Sequence, residues 1–294
     1  MVPDWIIPRS GRRVPLDRPL VMGILNLNDD SFCHDGTLDQ AEARRLSQAL
    51  LADGADFIDV GAESARTNRG PITPDEEIRR LRPLLESWDE IVAAARPLDA
   101  AQLWPPLLSV NTWRPEVAEA VLTIRCDLLN DMGALPDDRN AQLCARHGAS
   151  LLIMHSVGRP KEPHTHQRWD DILAALDLFF AEKIALAAAA GLSREAIVLD
   201  PGLDFAKQRD DNLAILGGAG RLARFGRPVL LPVSRKTVIG EVLGQADPRD
   251  RDPGTVACLV AGALRLPGCL FRVHNVRAAA QSVRILRAVA EEPV

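Results

Sequence analysis

The chain has 294 residues, 47% of them hydrophobic, and a formal net charge of −5. That length suits one large domain with a sizeable core, and the acidic balance gives no general attraction to nucleic acid or to a membrane surface. The five cysteines (Cys33, Cys126, Cys144, Cys258 and Cys269) are scattered without a C-x-x-C pair, and no run approaches the ~18 apolar residues of a membrane span, so a zinc or disulfide framework is disfavoured and a cytoplasmic protein is expected.

Residues 1–18, rich in Pro and Arg, read as an N-terminal arm with a short hairpin, ahead of a single domain over 19–294. Eight short apolar runs then recur: 19–26 (PLVMGILN), 55–64 (ADFIDVGAES), 107–112 (LLSVNT), 128–132 (LLNDM), 150–156 (SLLIMHS), 196–202 (AIVLDPG), 228–236 (PVLLPVSRK) and 269–275 (CLFRVHN). Helical periodicity fills the gaps. A helix over 38–54 closes on Gly54, and one from Pro74 to about Ala95 starts at a Thr73/Glu76 capping box. Further helices are expected from 114, over 138–148, from Trp169 to Gly191, up to Gly226, and over about 252–266 and 276–292. Cys126, Cys144, Cys258 and Cys269 lie in apolar surroundings and read as packing residues. Neither G-x-G-x-x-G nor G-x-x-x-x-G-K-[ST] occurs, so a dinucleotide fold and a P-loop lack support.

Eight strand–helix units are the sequence form of an α/β (β/α)8 TIM barrel, whose site lies where the strands end. Long loops after the first, second, fifth and sixth runs agree with chemistry on that face. Asn111, Asn130 and Asp200 end the third, fourth and sixth runs. Two carboxamides and a carboxylate suit a planar heterocycle, because a carboxylate accepts two parallel hydrogen bonds from an amino-amidine edge. Each residue alone serves equally well as a local cap. Lys236 ends the seventh run beside Arg235, and Arg272 and His274 alternate on the eighth, where barrels most often hold phosphate. Asn26 ends the first run, before Asp29, Asp30 and Asp35. That oxygen-rich loop suits Mg²⁺ shared with phosphate, or simply a solvated acidic surface. Met154 could line a ligand's face or belong to the core. His164 and His166, with no third ligand nearby, read as surface residues.

The ordered segments MGILNLNDDSF, GADFIDVGAESAR, SVNT, LLND, LLIMHS, LDPGLDFAK, PVSRKTVIG and FRVHNV resemble the dihydropteroate synthases over about 19–292. The resemblance implies that 6-hydroxymethyl-7,8-dihydropterin diphosphate binds with its ring in the barrel. Diphosphate then leaves with help from Mg²⁺, and the amine of 4-aminobenzoate attacks the methylene. By motif, Asn130 and Asp200 grip the pterin, with Lys236 near the ring and Met154 against it. Asn26 ligates Mg²⁺, while Arg66, Arg272 and His274 hold the diphosphate. Phe205 and Thr237 lie near the arylamine. Lys236, Arg272, His274 and Asn111 make up the implied catalytic set. A homodimer is the usual assembly of such enzymes, and Ala/Leu-rich faces of the last two helices could pair.

The chain departs from the family pattern at several places. Asn111 stands where SVDT has Asp, and an amide stabilises developing positive charge less than a carboxylate. Asn28 and Asp29 replace Thr and Pro in the first loop, Ala65 replaces the Thr before Arg66, and Asp204-Phe205-Ala206-Lys207 replaces Gly-Phe-Gly-Lys. These changes keep three alternatives open: the same pterin electrophile with another arylamine, as for methanopterin-type cofactors; a methyl-tetrahydropterin-dependent methyltransferase; or a non-catalytic pterin binder.

Overall fold

The computed structural model describes residues 5–28, 36–63, 70–162 and 166–291. A hairpin, β1 (Trp5–Ile7) and β2 (Arg12–Val14), precedes the barrel strands β3 (Leu20–Asn26), β4 (Phe57–Gly61), β5 (Leu107–Asn111), β6 (Leu128–Asp131), β7 (Ser150–Met154), β8 (Ile197–Asp200), β9 (Leu230–Leu231) and β10 (Leu270–Val273). Around them run α1 (Gln40–Ala52), α2 (Pro74–Glu86), α3 (Trp88–Ala94), α4 (Pro115–Ile124), α5 (Arg139–His147), α6 (Ile172–Ala189), α7 (Arg209–Gly218), α8 (Thr237–Leu243), α9 (Asp252–Arg265) and α10 (Val276–Glu291).

The eight parallel strands follow the order β8-β7-β6-β5-β4-β3-β10-β9, and a parallel bridge between Leu199 and Val229 closes the ring. The (β/α)8 barrel expected from the eight runs is therefore present. Side chains alternate across each strand. Val21, Leu25, Ile58, Val60, Leu108, Val110, Ile153 and Phe271 face the helices. Leu20, Met22, Phe57, Leu107, Leu128, Leu152, Val198, Leu230 and Leu270 fill the barrel's interior. Burying each such side chain stabilises the fold by about 1.5–3 kcal/mol before entropy is counted.

The hairpin plugs the bottom. Trp5 stacks on Phe57 with ring centroids 5.3 Å apart, and its indole N–H donates to Ser150 Oγ at 2.9 Å. Trp5, Ile7, Val14 and Leu16 share one apolar cluster with the interior strand residues, which seals that end against water.

Three elements differ from the expectation. The helix expected from Pro74 to Ala95 breaks at Ser87, four residues after Pro83, and Ser87 Oγ turns back to the Leu84 carbonyl. Thr73 Oγ1 does cap Glu76 N at 3.2 Å, but the Glu76 carboxylate pairs with Arg79 and Arg80 instead of completing the box. In the seventh run the strand is confined to Leu230 and Leu231, with Val229 adding the bridge to Leu199, since Pro232 lacks the N–H that a strand needs. Residues 232–236 turn away, and Lys236 becomes the N-cap of α8, not a strand end. The short helix α8, closed by Gly244 at φ 68°, was not anticipated. Cys126, Cys144 and Cys269 are buried and Cys258 packs at the core's edge, whereas Cys33 lies outside the described residues.

Candidate active site

The alternation that drives Phe57, Leu107, Leu128, Leu152, Val198 and Leu270 inward also drives Asp59, Gly61, Ser109, Asn111, Asn130, Met154, Asp200 and Arg272 inward, one or two layers higher. A cleft of about 280 Å³ opens there. It is lined by Asn26, Asn111, Asn130, Met154, Asp200, Phe205, Lys236, Thr237, Arg272 and His274, so the structure brings together every expected site residue that it describes. Arg66 lies outside the described residues, as do Asp29, Asp30, Asp35, Ala65 and His164. His166 is exposed.

Asp59, fully buried, forms the floor beneath the cleft. Its Oδ1 accepts the Ser109 hydroxyl at 2.5 Å, and its Oδ2 accepts Arg272 Nε at 2.6 Å. The Asn130 amide donates to both oxygens, at 3.2 and 3.1 Å. One carboxylate thus orients a strand-end amide and a guanidinium from opposite walls. Asn130 is thereby turned so that its Oδ1, buried and without a hydrogen-bond partner among the described residues, is left as an acceptor. Asn111 Oδ1 is in the same condition, with Nδ2 set against the weakly accepting Met132 sulfur at 2.8 Å. Buried acceptors without partners are uncommon in native proteins and point to a donor supplied from outside.

Asp200 closes β8 at the same depth, and its Oδ1 accepts Gly202 N at 2.7 Å. Burial pushes its carboxyl up to about 6, against the pull of the Gly202 N–H, Lys236, Arg272 and Lys207. It is therefore still largely ionised at neutral pH and able to accept two more N–H donors. Burial also pushes the Lys236 ammonium down, offset by Asp204 and Asp200. Lys236 Nζ donates to the Leu203 carbonyl at 2.8 Å and lies 4.9 Å from the Phe205 ring centroid, a cation–π placement. Gly202 adopts φ 67°, and a Cβ there would meet the His155 carbonyl at 2.0 Å, so the turn after Asp200 needs glycine.

His155 does not join the cleft. It follows Met154 with opposite parity and packs on Trp169 and Phe179. Its Nδ1 lies 2.8 Å from Lys207 Nζ, which also reaches the carbonyls of Phe205 and His155. Burial, then Lys207, pushes the imidazole down to about 3, so it is neutral. Burial pushes Lys207 down to about 7.

The cationic corner forms as expected where β10 meets β9. Ser234 Oγ lies 2.8 Å from His274 Nδ1 and accepts the His274 backbone N–H at 3.1 Å, which fixes the ring. Arg235 forks onto Asp252 at 2.7 and 3.1 Å. Arg272 commits Nε to Asp59, and a guanidinium has further N–H donors for an oxyanion. Asn26 ends β3, the strand paired with β10, and lines the cleft near this corner. At the rim, Arg114 bridges Glu63 and Glu77, and Lys161 reaches Glu63 Oε1 at 3.0 Å, tying the segment after β4 to the one after β7.

Asp59, Glu63 and Ser234 were not anticipated from sequence. The parity of Asp59 with Phe57 was the available signal. A larger cleft, about 690 Å³, lies between α10 and residues 98–102. Its charges pair off as Arg18–Asp56, Arg284–Asp99 and Arg287–Glu291, so it offers no converging set of unsatisfied groups like that over β5, β6 and β8.

Residues 22–274 match the family model described as pterin binding enzyme. The chain is 31% identical over 280 residues to the dihydropteroate synthase of Escherichia coli K12, covering 95% of this chain and 94% of that one. It superposes on Xanthomonas albilineans dihydropteroate synthase with 4-aminobenzoic acid at a TM-score of 0.84, with 32% identity and complete coverage of both chains (100% each). It also matches the dihydropteroate synthase of Thermus thermophilus in complex with 6HMPPP at a TM-score of 0.79 and 34% identity, covering 98% and 99% of the two chains.

Proposed function

The chain belongs to the pterin-binding enzyme family, among its dihydropteroate synthases, and on that premise we propose that its cleft condenses 6-hydroxymethyl-7,8-dihydropterin diphosphate with 4-aminobenzoate, giving 7,8-dihydropteroate and diphosphate for folate synthesis. The observation that carries this reading is the division of one cleft into two halves. Asp200 and the acceptors Asn111 Oδ1 and Asn130 Oδ1, which have no partner among the described residues, come from β8, β5 and β6, and Arg272 comes from β10 with His274 just after it, Lys236 being in electrostatic reach of both Asp200 and Arg272. The first half suits the N–H-rich edge of a pterin, and the second suits a diphosphate.

In the reaction, the C–O bond between the pterin methylene and the diphosphate breaks, and the electron pair leaves on the diphosphate oxygen. A C–N bond forms between the methylene and the arylamine nitrogen, which gives up a proton. Asp200 and Asn130 hold the ring, with Met154 against its face. Arg272 and His274, with Arg66 by motif, neutralise the charge that builds on the departing group. Asn111 faces the positive charge that builds on the methylene. Phe205 and Thr237 border the arylamine, and Lys236 stays near the ring.

Mg²⁺ is part of this proposal. Asn26, at the end of β3 in the cleft lining, would hold it, because an ion that keeps several waters needs only one or two protein oxygens. When bound, Mg²⁺ supplies further neutralisation of the leaving group. We place the enzyme in the cytoplasm as a homodimer. No helix among the described residues is long and apolar enough to cross a membrane, and the outer faces of α9 and α10 expose Leu264, Ile285 and Val289, which supports pairing there.

Calorimetry tests the division of the cleft. Pterin diphosphate should bind in the presence of Mg²⁺, and Asp200→Asn should abolish the binding of both the diphosphate and the corresponding pterin alcohol. Undiminished affinity in that variant would remove the ring assignment.

A further inference from the structure

We propose that Asp204 sets the acceptor preference of this site: its carboxylate disfavours an arylamine that is anionic at the end remote from the amine and favours one whose outer end is neutral. The inference rests on the synthase reading above and concerns the second substrate only.

Asp204 holds a left-handed backbone conformation at φ 68°, tolerated by Asp, Asn and Gly far better than by other residues. Asn212 grips it from both sides. Asp204 N donates to Asn212 Oδ1 at 2.8 Å, and Asn212 Nδ2 donates to Asp204 Oδ1 at 3.2 Å. The other carboxylate oxygen accepts the Thr237 backbone N–H at 2.5 Å. With one hydrogen bond on each oxygen, this is a fixed negative charge and not a swinging surface side chain. It lines the cleft with Lys236 and with Phe205 and Thr237, the two residues that border the arylamine in the reading above.

The geometry of the reaction sends the problem to this rim. The arylamine nitrogen must meet the pterin methylene inside the cleft, so the substituent para to it points outward along the ring axis. For 4-aminobenzoate that substituent is a carboxylate. At that rim the Thr237 N–H is already taken by Asp204. Lys236, a cation of the same rim, donates to the Leu203 carbonyl and has Asp204 and Asp200 as counter-charges. An incoming carboxylate therefore meets a like charge and a donor already in use. A carboxamide of the same shape carries no charge and brings N–H donors that Asp204 can accept.

The test compares 4-aminobenzoate with 4-aminobenzamide as acceptors, using the whole chain with Mg²⁺ and the pterin diphosphate. The quantity read is the ratio of kcat/KM for the neutral acceptor to that for the anionic one. Asp204→Asn keeps the shape and the backbone conformation, and Asp204→Gly relieves the conformation and removes the side chain. Both should lower the ratio about tenfold, the size expected for one like-charge contact at partial exposure. The change should fall mainly on the KM for 4-aminobenzoate, with kcat little altered. In the unaltered enzyme, added salt should lower the same ratio by screening. A ratio unchanged in both variants, in proteins that melt like the parent, would overturn the proposal and leave the synthase reading standing. Absence of product from either acceptor, although the pterin diphosphate binds, would overturn the synthase reading and this inference with it.

Discussion

The guanidinium of Arg272, on β10, donates through Nε to Oδ2 of Asp59, on β4, at 2.6 Å, across the barrel floor. The carboxylate is fully buried, while the Arg272 side chain keeps 23% of its surface exposed toward the cleft. Asp59 is thus a positioning residue that aims a cation it does not replace. Removing one partner of such a pair leaves the other without compensation, so Asp59→Asn should lower stability by about 2–3 kcal/mol, the lower end for a buried pair because Arg272 is partly solvated. Denaturant unfolding reads this loss. The variant should also raise KM for the pterin diphosphate more than it lowers kcat. Unchanged stability together with unchanged KM would mean that Asp59 positions nothing.

Asp200 makes pterin binding depend on pH. Its carboxyl, pushed up to about 6 by burial, is ionised above that value and protonated below it. The two-bond acceptor edge exists only when it is ionised. Affinity for the pterin should hold steady from about pH 8 to 7 and fall toward tenfold per unit below about 6, with a proton released on binding at the lower pH. The sign for the free protein is opposite. A carboxyl raised on folding disfavours the native state once it ionises, so Asp200 contributes to stability at low pH and loses that contribution as pH rises through about 6. Calorimetry in buffers of different ionisation enthalpy checks the released proton, and an affinity that is flat across this range would contradict the assignment.

Arg272→Ala should separate the two halves of the cleft. Loss of a guanidinium that grips oxyanions weakens diphosphate binding by about tenfold or more, while the pterin alcohol should lose far less. Competitive binding of the two ligands measures the difference. Equal losses would argue against the anion role and would favour a methyl-transferring relative, which releases no diphosphate.

Asn111→Asp should raise turnover. Among the described residues the amide offers its Nδ2 to the Met132 sulfur, a weak acceptor, so little is lost when that donor goes. A carboxylate in its place would face the positive charge that builds on the methylene. A gain of about tenfold in kcat, some 1.4 kcal/mol of barrier, is the expected scale. Steady-state kinetics at saturating pterin diphosphate would show it. No gain would mean that the amide suits this chain's own acceptor.

Most of the site was legible in the sequence because strand parity carries it. Once the runs ending in Asn26, Asn111, Asn130, Met154 and Asp200 are read as barrel strands, period-two alternation and the open C-terminal face leave those side chains nowhere else to point. Asp59 escaped for the same reason in reverse. It sits inside an apolar run, FIDVG, where its partners Ser109, Asn130 and Arg272 come from three other strands far away in sequence. Lys236 reaches the cleft by a different route from the one expected. Pro232 ends the seventh strand early and the chain turns into α8, so the residue arrives from a helix cap. The role of Asp204 could not be read from spacing at all, since it depends on a backbone N–H and an amide brought together by loop conformation.

The most direct measurement is product formation. The purified protein, Mg²⁺ and 6-hydroxymethyl-7,8-dihydropterin diphosphate are incubated with 4-aminobenzoate, and the mixture is followed by mass spectrometry, with Asp200→Asn run in parallel. Dihydropteroate and diphosphate are expected in equal amounts from the parent protein, and neither from the variant. Tight binding of the pterin diphosphate by the parent protein without dihydropteroate, at any concentration of 4-aminobenzoate, would contradict the assignment of this cleft as a synthase site.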